Sequence, residues 1–165
     1  MDLVVVRHAI AEEHSADRPD DERALTPRGR RRMRLAVGGL RRLGLRFDLV
    51  LHSPLRRAEQ TAELLDPLLR AGAQRKISEA LAREPAGELL DALHGAIPSD
   101  CVAVVGHEPW TGELVAWLVL GDPTSSSGFA LRKGGVAWLR GKPEPGGMRV
   151  VALLAPSVLR RLGRR

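Results

Sequence analysis

Tyrosine is absent from this chain of 165 residues, and aromatic residues make up only 3% of it. A core must therefore be assembled from Leu, Val and Ala. These are plentiful: hydrophobic residues reach 44%, enough to bury a real interior at this length. So few rings leave little platform for stacking single-stranded bases. That argues against reading the net charge of +6 as a nucleic-acid surface, as does the spread of arginines along the whole chain beside 20 carboxylates. The single cysteine, Cys101, allows no intrachain disulfide, which fits a reducing compartment. It sits inside an apolar run and reads as core packing. No apolar run approaches the ~20 residues that span a bilayer. No basic segment with a cleavage site precedes the first run, so the expected location is cytoplasmic and no membrane partner is expected. The P-loop pattern and the dinucleotide G-x-G-x-x-G are both missing. His107-Glu108-Pro109 begins like a zinc-protease motif. No second histidine follows, however, and Pro109 delays the helix until after His107. The five histidines show no other metal spacing. A cysteine-phosphatase loop would need arginine where His107 stands.

What the chain has is three apolar runs, each emptying into basic or imidazole side chains. Leu3-Val4-Val5-Val6 runs into Arg7-His8. Asp48-Leu49-Val50-Leu51 runs into His52-Ser53-Pro54-Leu55-Arg56-Arg57. Val102-Ala103-Val104-Val105 runs into Gly106-His107-Glu108. Read as strands of an open α/β sheet, the runs deliver those side chains to the carboxyl edge, where such sheets bind ligands. One site that handles an anion is the expectation.

Between the runs the pattern turns helical. Thr26-Pro27 opens a helix with a good cap and proline at the first position, and Met33, Val37 and Leu40 give its buried stripe. Arg30, Arg31, Arg34, Arg41 and Arg42 fall off the stripe and read as a solvated face. Ser53-Pro54 repeats the cap-then-proline device, with Leu55, Ala58, Ala62 and Leu65 inward and Pro67 bending or ending the helix. A short strand is expected near Ile77, and helices over 86–96 and 109–120. Residues 9–25 are polar, acidic and without period, hence a loop. Gly135 to Leu139 and Met148 to Leu154 read as an antiparallel pair around a Pro/Gly turn. Pro156 to Arg165 is a short basic helix or a tail. Alternation of strand and helix over the first 120 residues predicts a three-layer α/β fold. Its central sheet is mostly parallel with helices on both faces, in one domain spanning 1–165.

With no metal or nucleotide motif, a set of basic groups remains, and a phosphoryl group fits it. Its transfer needs a nucleophile and stabilisation of charge on three equatorial oxygens. Arg7 and Arg57 can each fork two donors onto phosphate oxygens, and a neutral imidazole can attack phosphorus. Nearby guanidiniums push an imidazole toward that neutral form.

These residues resemble the histidine phosphatase superfamily, the phosphoglycerate-mutase-like fold. Arg7-His8-Ala9 is similar to its Arg-His-Gly motif, and Leu25-Thr26-Pro27-Arg28-Gly29 to its Leu-Thr-x-x-Gly element. Residues Ser53 to Ala62 resemble its second-arginine motif and Gly106-His107 its second-histidine motif. The order agrees across about residues 1–120. Ala9 departs from glycine but stays small, so that backbone can approach phosphate. The short chain and Gly106-His107-Glu108-Pro109 look most like the SixA-type phosphohistidine phosphatases.

The resemblance implies that His8 attacks phosphorus and that Arg7, Arg57 and His107 hold the phosphoryl oxygens. It implies Arg23 as an extra phosphate contact and Ala9 as part of the phosphate cradle. It also implies that no metal or cofactor takes part. The proton donor of larger members has no clear counterpart; Glu84 and Glu108 are the candidates. The implied substrate is phosphohistidine on a signalling protein, a histidine phosphotransfer-type domain. The alternatives are a small phosphate ester, or a basic module that docks phosphate without turnover.

Overall fold

The computed structural model describes residues 1–96 and 98–164. Six strands form one sheet in the order β3-β2-β4-β1-β5-β6. These are β1 (Asp2–Arg7), β2 (Phe47–His52), β3 (Leu69–Ile77), β4 (Cys101–Gly106), β5 (Val136–Gly141) and β6 (Met148–Leu154). β3, β2, β4 and β1 run parallel, while β5 and β6 return antiparallel. The mostly parallel α/β sheet expected from the sequence is present. β1 and β4 are valine-rich and buried on both faces, as central parallel strands must be.

Helices cover the sheet from both sides. α1 (Pro27–Arg42), α2 (Arg56–Glu63) and α5 (Pro156–Gly163) pack on one face, through Met33, Leu40, Ala58, Ala62 and Leu159. α3 (Gly87–His94) and α4 (Trp110–Leu120) pack on the other, through Leu89, Leu93, Leu114 and Leu118. Cys101 lies in the core, and burial pushes its thiol up to about 12, leaving an inert hydrophobe. Among the described residues no helix is long and apolar enough to cross a membrane.

Three details differ from the sequence reading. α2 begins at Arg56 with Leu55 at the cap position and no side-chain cap bond. Ser53 is not the cap; its hydroxyl takes the Leu55 N–H and meets His107 instead. α2 also ends at Glu63, before Pro67, which lies in a separate 3₁₀ turn. The strand near Ile77 is nine residues long, an edge strand with most of its side chains exposed. The C-terminal segment is a helix whose Leu159 is fully buried; Arg165 lies outside the described residues.

Register is what builds the site. Arg7 pairs with Gly106 across β1 and β4, and His52 pairs with Val105 across β2 and β4. The three strands therefore end level, and His8, Ser53 and His107 leave the sheet side by side.

Candidate active site

His8 is the first residue past β1. Its N–H donates to Gly106 O at 3.0 Å, continuing the ladder one step beyond the strand. Its ring Nδ1 lies 2.7 Å from Ala9 O. A carbonyl can only accept, so Nδ1 carries the proton and Nε2 of the neutral ring keeps its lone pair. His8 as a whole is 5% exposed. Nε2 has no protein partner among the described residues, yet it is not among the polar atoms sealed from solvent. The sliver of the ring that solvent reaches thus includes its basic nitrogen.

The His107 ring stands 5.0 Å from that of His8, tilted by 48°. Its Nε2 is 2.9 Å from Ser53 Oγ, and Trp110 packs edge-on against it. Burial lowers the pKa of His8 to about 3, and the charges of His107, Arg57 and Arg7 act in the same sense. Burial lowers that of His107 to about 4, with Arg57 and Arg7 adding to it against Asp20. Both arginines act on both rings, so the four groups share one electrostatic neighbourhood. Both imidazoles are neutral at neutral pH.

Neither arginine offers its whole fork. Arg7 Nη1 donates to Leu131 O at 2.6 Å. Arg57, 6% exposed, gives Nη1 to Asp20 O at 2.6 Å and Nη2 to Asp20 Oδ2 at 2.9 Å. The end of the Arg57 guanidinium is thus spent on Asp20, and the double fork onto phosphate expected from the sequence is unavailable there. Arg7 Nε, Arg57 Nε and His107 Nδ1 are buried and have no partner among the described residues. Buried orphan polar groups are rare and costly. Three of them fall on three of the four residues singled out in the sequence, and none of the three atoms reaches solvent in this arrangement.

Arg23 is placed differently from the sequence expectation. Its Nε is 2.8 Å from Asp20 Oδ1, its Nη2 2.8 Å from the same oxygen, and its Nη1 2.9 Å from Glu12 O. All three nitrogens are engaged within the 9–25 loop, so Arg23 braces Asp20, which in turn grips Arg57. Ala9 sits in the core, and its N–H donates to Thr61 Oγ1 at 3.1 Å. Thr61 Oγ1 in turn donates to Arg57 O at 2.6 Å. One hydroxyl therefore ties the nucleophile loop to α2.

The two candidate acids separate. Glu84 is exposed. Glu108 Oε1 accepts from Leu131 N–H at 2.9 Å and from the Thr111 hydroxyl, beside Arg7. Glu113, passed over in the sequence, is half-buried in the first turn of α4, and burial with Glu84 and Glu108 nearby raises its pKa. Asp20, Ser53 and Thr61 were also missed. Ser53 and Thr61 both lay in the second-arginine motif, where Ser53 read as a cap and Thr61 was given no role of its own; Asp20 lay in no motif. Among the described residues no group of three or more His, Cys, Asp or Glu could hold a metal ion.

Comparison with known proteins gives a consistent picture. Residues 3–82 match the model of the Histidine phosphatase superfamily (branch 1), which takes in His8, Arg23 and Arg57 and stops short of His107. An uncharacterized protein of Picosynechococcus sp. is 35% identical over 143 residues, 85% of this chain and 85% of that one. The solved structure of the putative phosphohistidine phosphatase SixA from Nakamurella multipartitia shares 30% identity, over 94% of this chain and 95% of that one, with a TM-score of 0.70. The protein histidine phosphatase SixA complexed with tungstate shares 26%, over 96% and 99%, with a TM-score of 0.81.

Proposed function

This chain belongs to the histidine phosphatase superfamily and is a phosphatase, and from that membership we propose that it hydrolyses phosphohistidine on a protein through a phosphorylated His8. The observation that carries the reading is the state of His8. Its proton is fixed on Nδ1 by Ala9 O, and its unprotonated Nε2 is free and reachable.

In the first step the Nε2 lone pair attacks phosphorus in line. The bond from phosphorus to the substrate's ring nitrogen breaks, and its electron pair stays on that ring. An imidazole already protonated leaves as a neutral molecule, so no strong protein acid is needed. In the second step water attacks phospho-His8. The P–N bond breaks, its electrons return to Nε2, and inorganic phosphate departs. Arg7, Arg57 and His107 are the donors that would meet the three equatorial oxygens, in a site where burial strengthens every charge. Ser53 Oγ–H donating to His107 Nε2 would set the proton on Nδ1, where the oxygen needs it.

Of the two acids expected from the sequence, Glu108 is held as an acceptor and Glu84 is exposed, which supports a nitrogen leaving group. One observation favours the other substrate class. Glu113, half-buried in the first turn of α4 with its pKa raised by burial, is the carboxyl that would protonate an ester leaving group. The two readings separate on a phosphohistidine protein, an aryl phosphate and an alkyl phosphate, each assayed without added metal. We expect the phosphohistidine protein to be turned over fastest, Glu113→Gln to leave that rate unchanged, and His8→Ala to abolish it. A faster alkyl ester that fails in Glu113→Gln would install the ester reading. Turnover surviving in His8→Ala would end both.

A further inference from the structure

A second basic cavity opens at the same sheet edge, on the side covered by α1 and α5. It measures about 220 Å³, and Ala9 and Ile10, the two residues after the nucleophile, form part of its wall. Four cations ring it: Arg32 from α1, Arg160 from α5, and Arg132 and Lys133 from the loop before β5. No carboxylate lines it. Among the described residues none of the four has a carboxylate within ion-pair distance.

The fold presses these charges together. α1 and α5 touch backbone to backbone: a Cβ on Gly39 would lie 2.3 Å from Leu159 O, and one on Gly163 would lie 1.8 Å from Leu35 O. This close packing brings Arg32 of α1 beside Arg160 of α5. Desolvation first, and then the guanidiniums of Arg28, Arg160 and Arg31, weaken the hold of Arg32 on its proton. α1 carries seven arginines and no acid, so no counter-charge comes from its own helix. The cavity walls also include apolar Ile10, Met33, Ala36 and Pro156, a low-dielectric lining that focuses the field of the rim.

We propose that this cavity is a second oxyanion site, which takes a single phosphate or carboxylate group beside the catalytic loop. Its size fits one such group. It lies below the roughly 300–1,000 Å³ of pockets that enclose drug-sized ligands. An oxyanion would neutralise a like-charged cluster that the packing holds in place. The loop that supplies Arg132 and Lys133 is also coupled to the nucleophile. Gly134 N–H is shared between the carbonyls of Arg7 and His8, each at 3.1 Å, and Arg7 Nη1 holds Leu131 O. Two sources offer the chemistry: a second acidic group on the substrate itself, or free inorganic phosphate.

The test uses inorganic phosphate and the backbone amide NMR signals of Ile10 and Gly134, which report on this cavity. The protein carries Arg57→Ala to weaken the catalytic phosphate site. Saturable shifts are expected there. They should vanish when Arg32→Ser and Arg160→Ser are added, with the melting temperature without phosphate unchanged or raised. Shifts that do not saturate, that chloride reproduces at equal ionic strength, or that survive both substitutions would overturn the site. With Arg57 intact, an aryl phosphate bearing a second carboxylate is compared with its plain parent. A severalfold lower KM that disappears in Arg32→Ser/Arg160→Ser assigns the site to substrate. Equal KM values, with the phosphate-induced shifts present, assign it to free phosphate. Neither arm depends on which phosphoryl bond is broken naturally.

Discussion

Asp20 touches no reacting atom in the proposed mechanism, yet it decides which edge of Arg57 faces the phosphoryl group. Its backbone oxygen and Oδ2 hold both Nη atoms of Arg57, and its Oδ1 is held by Arg23. Misplacing a positioned donor by about 1 Å can cost ~100-fold in rate. Asp20→Ala is therefore expected to lower kcat/KM on an aryl phosphate by about 10- to 100-fold, with little change in melting temperature. In an Arg57→Ala background the same substitution should cost almost nothing more, because residues acting as a unit are not additive. A full additive loss there would refute the brace, and a gain in activity would make Asp20 a competitor of phosphate. Nothing in the sequence distinguishes Asp20 from Glu12, Glu13, Asp17, Asp21 and Glu22 in the same unperiodic loop; only folding lays it on Arg57. His8, Arg57 and His107 were legible because each follows an apolar run whose end the sheet lines up. The imidazoles also leave a mark on stability. Their folded pKa values, about 3 and about 4, lie below the ordinary 6.5, so between these limits the unfolded chain binds protons that the folded one refuses. Stability then rises with pH across that window and is lost as pH falls through it, by up to about 1.4 kcal/mol per pH unit for each ring. Urea midpoints measured from pH 6.5 down to 4 should fall less steeply in His8→Ala than in the parent; matching slopes would contradict the burial of a neutral ring.

α1 is tied to the nucleophile segment through its first turn, and Gly29 is where the two meet. Ile10 O accepts the Thr26 N–H at 3.0 Å, and a Cβ on Gly29 would lie 2.0 Å from that same oxygen. Two effects oppose each other in Gly29→Ala. Helix propensity favours alanine by about 1 kcal/mol. Overpacking against backbone, which cannot rotate away, costs about 1–3 kcal/mol. The clash should win, so urea unfolding is expected to show net destabilisation together with reduced turnover, since Ile10 lies two residues from His8. A stabilised, fully active variant would mean the contact is slack. Elements with a one-sided period or a continuous apolar run were readable in advance: β1, β4, the β5–β6 pair, α1 and α4. β3 was read too short because an edge strand exposes most of its side chains, and Gly72 and Lys76 break its pattern. α2 was read two turn positions early because Ser53-Pro54 imitates a cap. That hydroxyl is engaged with His107, a contact between residues 54 apart in the chain that local sequence does not encode.

At the scale of the whole molecule the excess of positive charge is not evenly placed. α1 carries seven arginines without an acid, and α5 adds Arg160 and Arg161 on the helix packed against it. Composition alone could not tell this face from a uniformly basic surface, because the carboxylates that pair with seven of the other arginines are brought to them by the fold. A one-signed face beside a phosphoryl site steers large acidic partners more than small ones, since a partner's many carboxylates each feel the field. If the natural substrate is an acidic phosphoprotein, its kcat/KM should fall by about tenfold or more between low and high ionic strength, as electrostatic steering of association does. Hydrolysis of a small aryl phosphate presents one anionic group and should fall only about twofold over the same range. Reversing charge on the exposed face with Arg31→Glu and Arg34→Glu should flatten the first dependence and leave the second in place, because neither residue belongs to the proposed phosphate site. Parallel salt dependences for the two substrates, in the parent and in the charge-reversed variant alike, would show that the basic face takes no part in choosing what reaches His8.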